Sequence, residues 1–385
     1  MPSTPPPLPE QLQTPALLIH LDRVRHNLGA MRRFVAGDLS RWRPHIKTCK
    51  VAEVLALYLE AGVRRFKCAT TREAEVLLRT ATTAGHDIDV LFAMAQHGAN
   101  LDHLQALAAD QPNHRVAMIS EDPTHAADLA SRGLGVFVDI DPGYHRTGIQ
   151  FGDRARIEAV THAAGPGLRG LHCYDGHLHD DSPALRQLEA HEVYRELLTL
   201  AARLGIRGEL ITSGTPTFAC ALSFDGFRGL DGRDGLTHTI SPGTVIYWDA
   251  RSEELGIDGF RCAVEILARV ISRPANDRFT LDAGSKALDA AAGTPCARLL
   301  EPLPVEIGIP SEEHLPIRML VGHAPALGTT LRLVPRHVCP TVNLASEAVL
   351  LDGGAVTAIV PVTARGHETA PVAPATRSQD TRPQP

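Results

Sequence analysis

The 385-residue chain contains no run of about 18 apolar residues, so no membrane-spanning helix is expected. Its first residues, MPSTPPPLPEQLQ, lack the charged and apolar regions of a secretory signal. Basic charge is not in excess. Lys and Arg number 38 against 44 Asp and Glu, for a net charge of -6, which leaves no electrostatic footprint for nucleic acid. The seven cysteines (Cys49, Cys68, Cys173, Cys220, Cys262, Cys296, Cys339) are odd in number and form no Cys-x-x-Cys pair. That argues against a disulfide framework and for reduced thiols in a cytoplasmic protein. The segment from Phe260 to Thr363 has no tyrosine. What remains is 44% hydrophobic and 21% charged, the balance of a soluble globular chain, and long enough for two or three domains.

Short apolar runs alternate with helical patterns through the middle of the chain. Strands are expected at Arg41 to Lys47, at FKCA from Phe66, DVLFAMA from Asp89, RVAMIS from Arg115, VFVDID from Val136, LRGLHCYD from Leu168, ELITSG from Glu209 and LTHTISPG from Leu236. Eight strands with intervening helices over roughly 210 residues predict a (β/α)8 barrel spanning 14–258. A doubly wound open sheet would alternate in the same way. The barrel is favoured because polar residues crowd the strand ends: His45, Lys47, Asp139, Asp141, His172, Tyr174, Ser213 and Ser241. After Gly259 the pattern turns strand-like without long helices, which predicts a β-rich domain over 259–363. Residues 1–13 and 364–385 are Pro-rich and polar, and read as a flexible N-terminus and a disordered tail.

RPHIKTCK places Lys47 at the end of the first strand, with Arg43, His45 and Lys50 as nearby cations that would ease loss of its proton. A solvated basic loop would read the same way. SGTPT after the seventh strand and SPGT after the eighth offer hydroxyls and glycine backbone where barrels hold phosphate. DIDPGYHRTG sets Arg146 after the fifth strand, and LHCYDGHLHD crowds His172, Tyr174, Asp175, His177 and His179 after the sixth. Strand alternation keeps those three histidines from converging on one metal. In HVC, a strand would put His337 and Cys339 on one face as a metal pair. SEEH (Ser311 to His314) could add ligands or could be a solvated loop.

These peptides, with TPALLIHLDRVRHNL, FKCATTREAE and PRHVCPTVNL, resemble in order and spacing the D-threonine aldolase / D-serine dehydratase family, pyridoxal-phosphate (PLP) enzymes of the alanine racemase fold. The resemblance covers residues 14 to 363. It implies that Lys47 carries PLP as a Schiff base, that Arg146 contacts the phenolate oxygen, and that Tyr174 lies near the pyridine ring. Ser213, Gly214 and Thr215, with Gly243 and Thr244, match the phosphate loops. His337 and Cys339 match a divalent-metal pair, for which a thiolate favours Zn²⁺, with Mn²⁺ the other candidate. It also implies a homodimer in which the β domain of one subunit closes the barrel mouth of the other, so that the metal pair serves the partner's Lys47. One departure is Cys49, where the family usually has histidine.

The activity implied is a lyase acting on D-3-hydroxy amino acids, with His337 and Lys47 catalytic. Retro-aldol cleavage to glycine and an aldehyde is the reading for most of the chain. Cys339 points instead to the dehydratases, which release a 2-oxo acid and ammonia from D-serine or 3-hydroxy-D-aspartate. An amino-acid racemase would need an opposing tyrosine that the β domain lacks. A non-catalytic PLP carrier would resemble the barrel alone.

Overall fold

The computed structural model describes residues 12–369 apart from 181, 231, 233 and 234. One sheet runs in the order β2 (Arg65–Cys68), β3 (Asp89–Phe92), β4 (Arg115–Ser120), β5 (Gly135–Asp141), β7 (Leu168–Cys173), β8 (Gly208–Thr212) and β9 (Leu236–Ile240), all parallel, with the short β6 (Ile149–Gln150) on β5. Each strand except β5 is followed by a helix over the outside before the next one begins, as a parallel order demands. The ends are joined by the segment Trp42–His45. Trp42 bridges to Ile240 of β9, and His45 bridges to Lys67 of β2, both parallel. Arg43 N–H donates to Ile240 O (2.9 Å), and Lys67 N–H donates to Pro44 O (2.9 Å). The barrel is therefore closed by eight staves, as the sequence predicts. The first is not a regular strand, because Pro44 has no N–H to offer a ladder.

A barrel strand turns every second residue inward, and the interior is stacked in three levels. At the bottom, Arg43 is fully buried, and its guanidinium reaches Glu209 (2.6 and 2.9 Å) and Asp89 (3.0 Å). Asp89 also pairs with Arg169, and Thr239 donates to Glu209. In the middle, Leu91, Ala117, Ile119, Phe137 and Ile211 form a separate apolar plug. At the top, two residues further along, come His45, Lys67, Asp139 and His172.

The second sheet has nine strands: β1 (Ala16–His20), β10 (Val264–Ala275), β11 (Arg278–Leu281), β12 (Ala297–Leu299), β13 (Val305–Ile307), β14 (Leu315–Met319), β15 (Thr330–Pro335), β16 (Glu347–Asp352) and β17 (Ala355–Pro361). The β-rich domain expected over 259–363 is there, but it also takes β1, which the sequence reading assigned to the barrel unit 14–258. β1 lies between β10 (antiparallel) and β16 (parallel). Its run Leu17–Leu18–Ile19 is buried on both faces, Leu18 against Leu267, Val349 and Leu351 and the other two in the main core. A run apolar at every position belongs in the middle of a sheet, and this sheet, not the barrel, has the vacancy.

The tail expected over 364–385 also begins later than the sequence suggests. Ala364 N–H donates to Lys50 O (3.1 Å), and Glu368 accepts from Thr71 (2.9 Å) and faces Arg72. Residues 1–11 and 370–385, which carry the rest of both expected loose ends, lie outside the described residues. No described helix is long and apolar enough to cross a membrane.

Replacing Arg43 by Met leaves the Glu209 carboxylate buried without its cation. A broken buried pair of this kind costs about 3–5 kcal/mol, and urea denaturation of Arg43→Met should read a loss in that range with the slope unchanged.

Candidate active site

Nine of the residues that the resemblance assigns to the site line one cavity at the C-terminal mouth of the barrel; the tenth, Ser213, is buried beside Gly214. A cavity of about 720 Å³ is lined by Lys47, Arg146, Tyr174, Gly214, Thr215, Gly243, Thr244, His337 and Cys339. A second lobe of about 550 Å³ shares Lys47, Arg146 and Tyr174 and runs inward past Ala69, Ala93, Met94 and Ile119.

Lys47 follows the first stave, where the chain bends into the turn 46–49. Its backbone N–H points at His45 Nδ1 (3.3 Å) and its side chain is exposed to the cavity. Of the three cations expected around it, only His45 lines the cavity. Burial, and then the charges of Lys47 and Lys67, hold the His45 imidazole well below its ordinary pKa, so it is neutral. Arg43 is spent on the ion pairs at the barrel bottom. Lys50, at φ +55°, turns away to Glu73 (2.7 Å) and Ala364 O (3.3 Å). Cys49 faces the core, not the cavity. Burial pushes its thiol up to about 12.

The loop that carries Arg146 is folded by Asp141. Its Oδ1 accepts the N–H groups of Gly143 (2.9 Å) and His145 (3.0 Å), and its Oδ2 contacts His145 Nδ1 (2.9 Å). Gly148 must be glycine here: φ is +98°, and a Cβ would sit 2.8 Å from Asp141 N. Arg146 ends between two rings, 4.8 Å from the centroid of Tyr144 and 5.0 Å from that of Tyr174. Among the described residues it pairs with no carboxylate, so its charge is available to a ligand.

The phosphate-type loops are shaped but not as simply as the sequence suggests. Gly243 packs so closely on the first stave that a Cβ would lie 2.4 Å from His45 O. A Cβ on Gly214 would meet the Tyr174 ring at 3.1 Å. The Gly214 N–H, expected to face a phosphate, instead donates to Thr217 Oγ1 (3.2 Å), and Thr217 in turn donates to Asp175 (2.7 Å). Thr217 and Asp175 are thus structural, and Tyr194 completes them with a 2.6 Å hydrogen bond. Ser213 is different. It is fully buried at φ +64°, and its hydroxyl has no partner among the described residues. An orphaned buried hydroxyl at the mouth is what a missing ligand leaves behind.

His337 and Cys339 come together, but not on a strand. β15 ends at Pro335, His337 caps the helix Val338–Leu344, and Cys339 is in its first turn. The buried carboxylate of Asp249 starts the helix by accepting Val338 N–H (3.0 Å). Cys339 Sγ lies 3.0 Å from Thr48 Oγ1 and 3.4 Å from Thr244 Oγ1. Burial would raise the Cys339 thiol and lower the His337 imidazole. Their mutual hydrogen bond and charges outweigh it and move them the other way, Cys339 down and His337 up. Among the described residues no cluster of three or more His, Cys, Asp or Glu could enclose a metal, so the pair is an open site. Thr48 belongs to the same chain, so within one chain the pair lies at the barrel mouth beside Lys47. Ser311 to His314 do not join it. Glu312 and Glu313 pair with Lys286 on the surface.

The histidines after β7 diverge as expected. His172 points in, with Nδ1 2.7 Å from Asp139 Oδ1, while His177 stacks on Tyr144 (5.7 Å). Sequence reasoning missed Lys67, which is buried at the top level 3.4 Å from His172 Nε2 and 5.4 Å from the Tyr174 ring. No local pattern marks it: β2 reads Arg65–Phe66–Lys67–Cys68, and the inward phase of Lys67 shows only once His45 and His172 stand beside it.

A barrel mouth with an exposed lysine, an unpaired arginine and a glycine-lined cradle defines a class, and the comparisons agree with it. Residues 19–229 match the alanine racemase N-terminal domain family, and residues 263–351 match a serine dehydratase domain. The chain belongs to this PLP-dependent, alanine racemase-like family of fold-type III. It is 29% identical to D-threonine aldolase of Arthrobacter sp. over 374 residues, 92% of this chain and 93% of that one. It is 27% identical to D-threo-3-hydroxyaspartate dehydratase of Delftia sp. (strain HT23), over 90% and 96% of the two chains. The crystal structure of D-threonine aldolase from Filomicrobium marinum superposes with a TM-score of 0.78 at 28% identity, covering 94% of this chain and 99% of that one.

Because the Ser213 hydroxyl is buried without a partner, its removal should relieve the cofactor-free protein. Ser213→Ala should raise stability by about 1 kcal/mol, read from chemical denaturation without PLP. A loss of stability would mean that the hydroxyl is bonded after all.

Proposed function

We propose that this protein is a PLP- and divalent-metal-dependent lyase that cleaves D-3-hydroxy amino acids to glycine and an aldehyde. The observation that carries the reading is that Lys47 and the His337–Cys339 pair line one cavity of one chain. The orphaned Ser213 hydroxyl, with Thr215 and Thr244 on the cavity wall, fits a phosphate, and the charge of Arg146 fits a phenolate. The imidazole–thiolate pair fits a borderline-soft metal such as Zn²⁺.

In this reading Lys47 would hold the cofactor covalently through its amine. Ser213, Thr215, Gly243 and Thr244 would anchor the phosphate end, with Gly214 lining it while its N–H stays on Thr217, Arg146 would meet the phenolate oxygen, and Tyr174 the ring. PLP, when bound, supplies an electron sink at Cα. His337 and Cys339 would hold a metal that supplies Lewis acidity at the substrate's 3-hydroxyl. Neutral His45 keeps further positive charge away from the Lys47 amine. The second lobe, where Ala69, Ala93, Met94 and Ile119 supply apolar surface beside polar residues such as Glu121 and His125, gives the aldehyde fragment room to leave into. That lobe favours cleavage over elimination. Cys339 supports a second reading, the dehydratase, in which Lys47 would take the Cα proton and hydroxide would leave.

The purified protein supplied with PLP should turn yellow, and Lys47→Ala should stay colourless. With Zn²⁺ or Mn²⁺, D-threonine should give glycine and acetaldehyde. A 2-oxo acid and ammonia from D-serine or 3-hydroxy-D-aspartate would instead establish the second reading, and a colourless wild type would overturn the PLP assignment. Chelation, or Cys339→Ala, should lower kcat by about 100-fold or more while the colour persists. Ser213→Ala should weaken PLP binding about tenfold, the equivalent of one hydrogen bond to a charged group.

A further inference from the structure

Lys67 has no task in the scheme above, yet it is the most unusual side chain of the cavity. The chain has only four lysines: Lys47, Lys50, Lys67 and Lys286. Lys50 is paired with Glu73, and Lys286 with two surface carboxylates. Lys67 is 2% exposed and forms no ion pair among the described residues. Its nearest polar partner is a ring nitrogen, His172 Nε2 at 3.4 Å.

The neighbours of this amine come from every side of the barrel top. They are His45 and Lys47 after the first stave, Asp139 on β5, Arg146 on its loop, His172 on β7, and Tyr174 and Asp175 beyond it. Burial, then Lys47 and Arg146, drive the proton off Lys67, while Asp139 and Asp175 oppose them. The amine is lowered to about 7. The contact between His172 Nδ1 and Asp139 Oδ1 (2.7 Å) assigns the ring hydrogen to Nδ1. Nε2 is then an acceptor, and the row reads Lys67 N–H to Nε2, Nδ1–H to carboxylate. The carboxylate orients the imidazole, and the imidazole orients the amine. The Lys67 lone pair is left for the cavity, which it lines in both lobes. Cys49, where the family's usual histidine is missing, cannot serve, because its thiol is buried in the core.

We propose, on the reading that the cavity cleaves 3-hydroxy amino acids, that Lys67 is a second acid–base group of the site, oriented by His172 and Asp139. The neutral amine takes the proton of the substrate's 3-hydroxyl. The oxygen's electron pair closes the aldehyde C=O, the Cα–Cβ bond breaks, and its electron pair is left at Cα. The Lys67 ammonium then returns the same proton to Cα, giving glycine. The proton lost from oxygen is the proton gained by carbon, so no outside acid is required.

The test reads the amine directly. In protein labelled at lysine Cε with ¹³C, four lysine signals are expected, and that of Lys67 is identified by its loss in Lys67→Met or Lys67→Arg. It should titrate near neutrality, well below the surface signal of Lys286. In the PLP-loaded enzyme both variants should keep the yellow colour and lose about 100-fold in kcat, with the substrate KM changed far less. The limb of the wild-type pH–rate profile that rises near neutrality should be absent from the residual activity. A Lys67 signal that stays in the ammonium position through pH 9 overturns the proposal. So does a Met variant with the wild-type rate and pH profile. A colourless wild type would count against the cofactor reading instead, and the titration would be unaffected by it.

Discussion

The active site depends on the closure of a parallel barrel whose strands show only every second residue to the interior. That constraint sorts the inward residues by level. Charge at the bottom is consumed by the pairs of Arg43 with Glu209 and Asp89. Apolar volume in the middle, from Leu91 to Ile211, keeps water from passing through. Only the top level has polar groups without mutual neutralisation. The first stave is the keystone, since Arg43 is its inward residue at the bottom, His45 its inward residue at the top, and Lys47 follows directly after it. One short segment therefore ties the barrel shut at the bottom and presents the reactive amine at the top.

The second domain brings His337 and Cys339 to the mouth of the barrel of its own chain. β1 is part of its sheet, so the described chain passes from this sheet into the barrel and returns. On the return, Asp249 fixes the start of the helix Val338–Leu344, and Thr48 and Thr244 receive Cys339. Cys339 is thereby held by contacts to residues next to Lys47 and inside the phosphate-type loops. In the proposed function, cofactor and metal would share one wall, so a shift of either loop would be felt by both.

Much of this was legible in the sequence. Alternation and strand-end polarity marked the barrel and placed Lys47, Arg146, Tyr174 and the SGTPT and SPGT loops at its mouth. The HVC pair was found for the wrong local reason, as strand neighbours; Asp249, 88 residues earlier, makes the segment a helix start, and no local pattern announces that. The roles of Arg43 and Lys50 were misread because proximity in sequence says nothing about which way a side chain leaves a tight turn. Cys49 is turned to the core by the same bend. Lys67 was overlooked because a four-residue strand carries too short a pattern to show its inward phase until His45 and His172 are placed beside it.

The central claim is that one chain brings a cofactor lysine and an open metal pair into a single cavity. A crystal structure of the protein grown with PLP and Zn²⁺ tests it most directly. The account predicts continuous density from the Lys47 amine to the cofactor, phosphate at Ser213 and Gly243, and an anomalous zinc peak bound by His337 and Cys339 of that same chain. A cofactor bound elsewhere, or a zinc peak away from that pair, would contradict it.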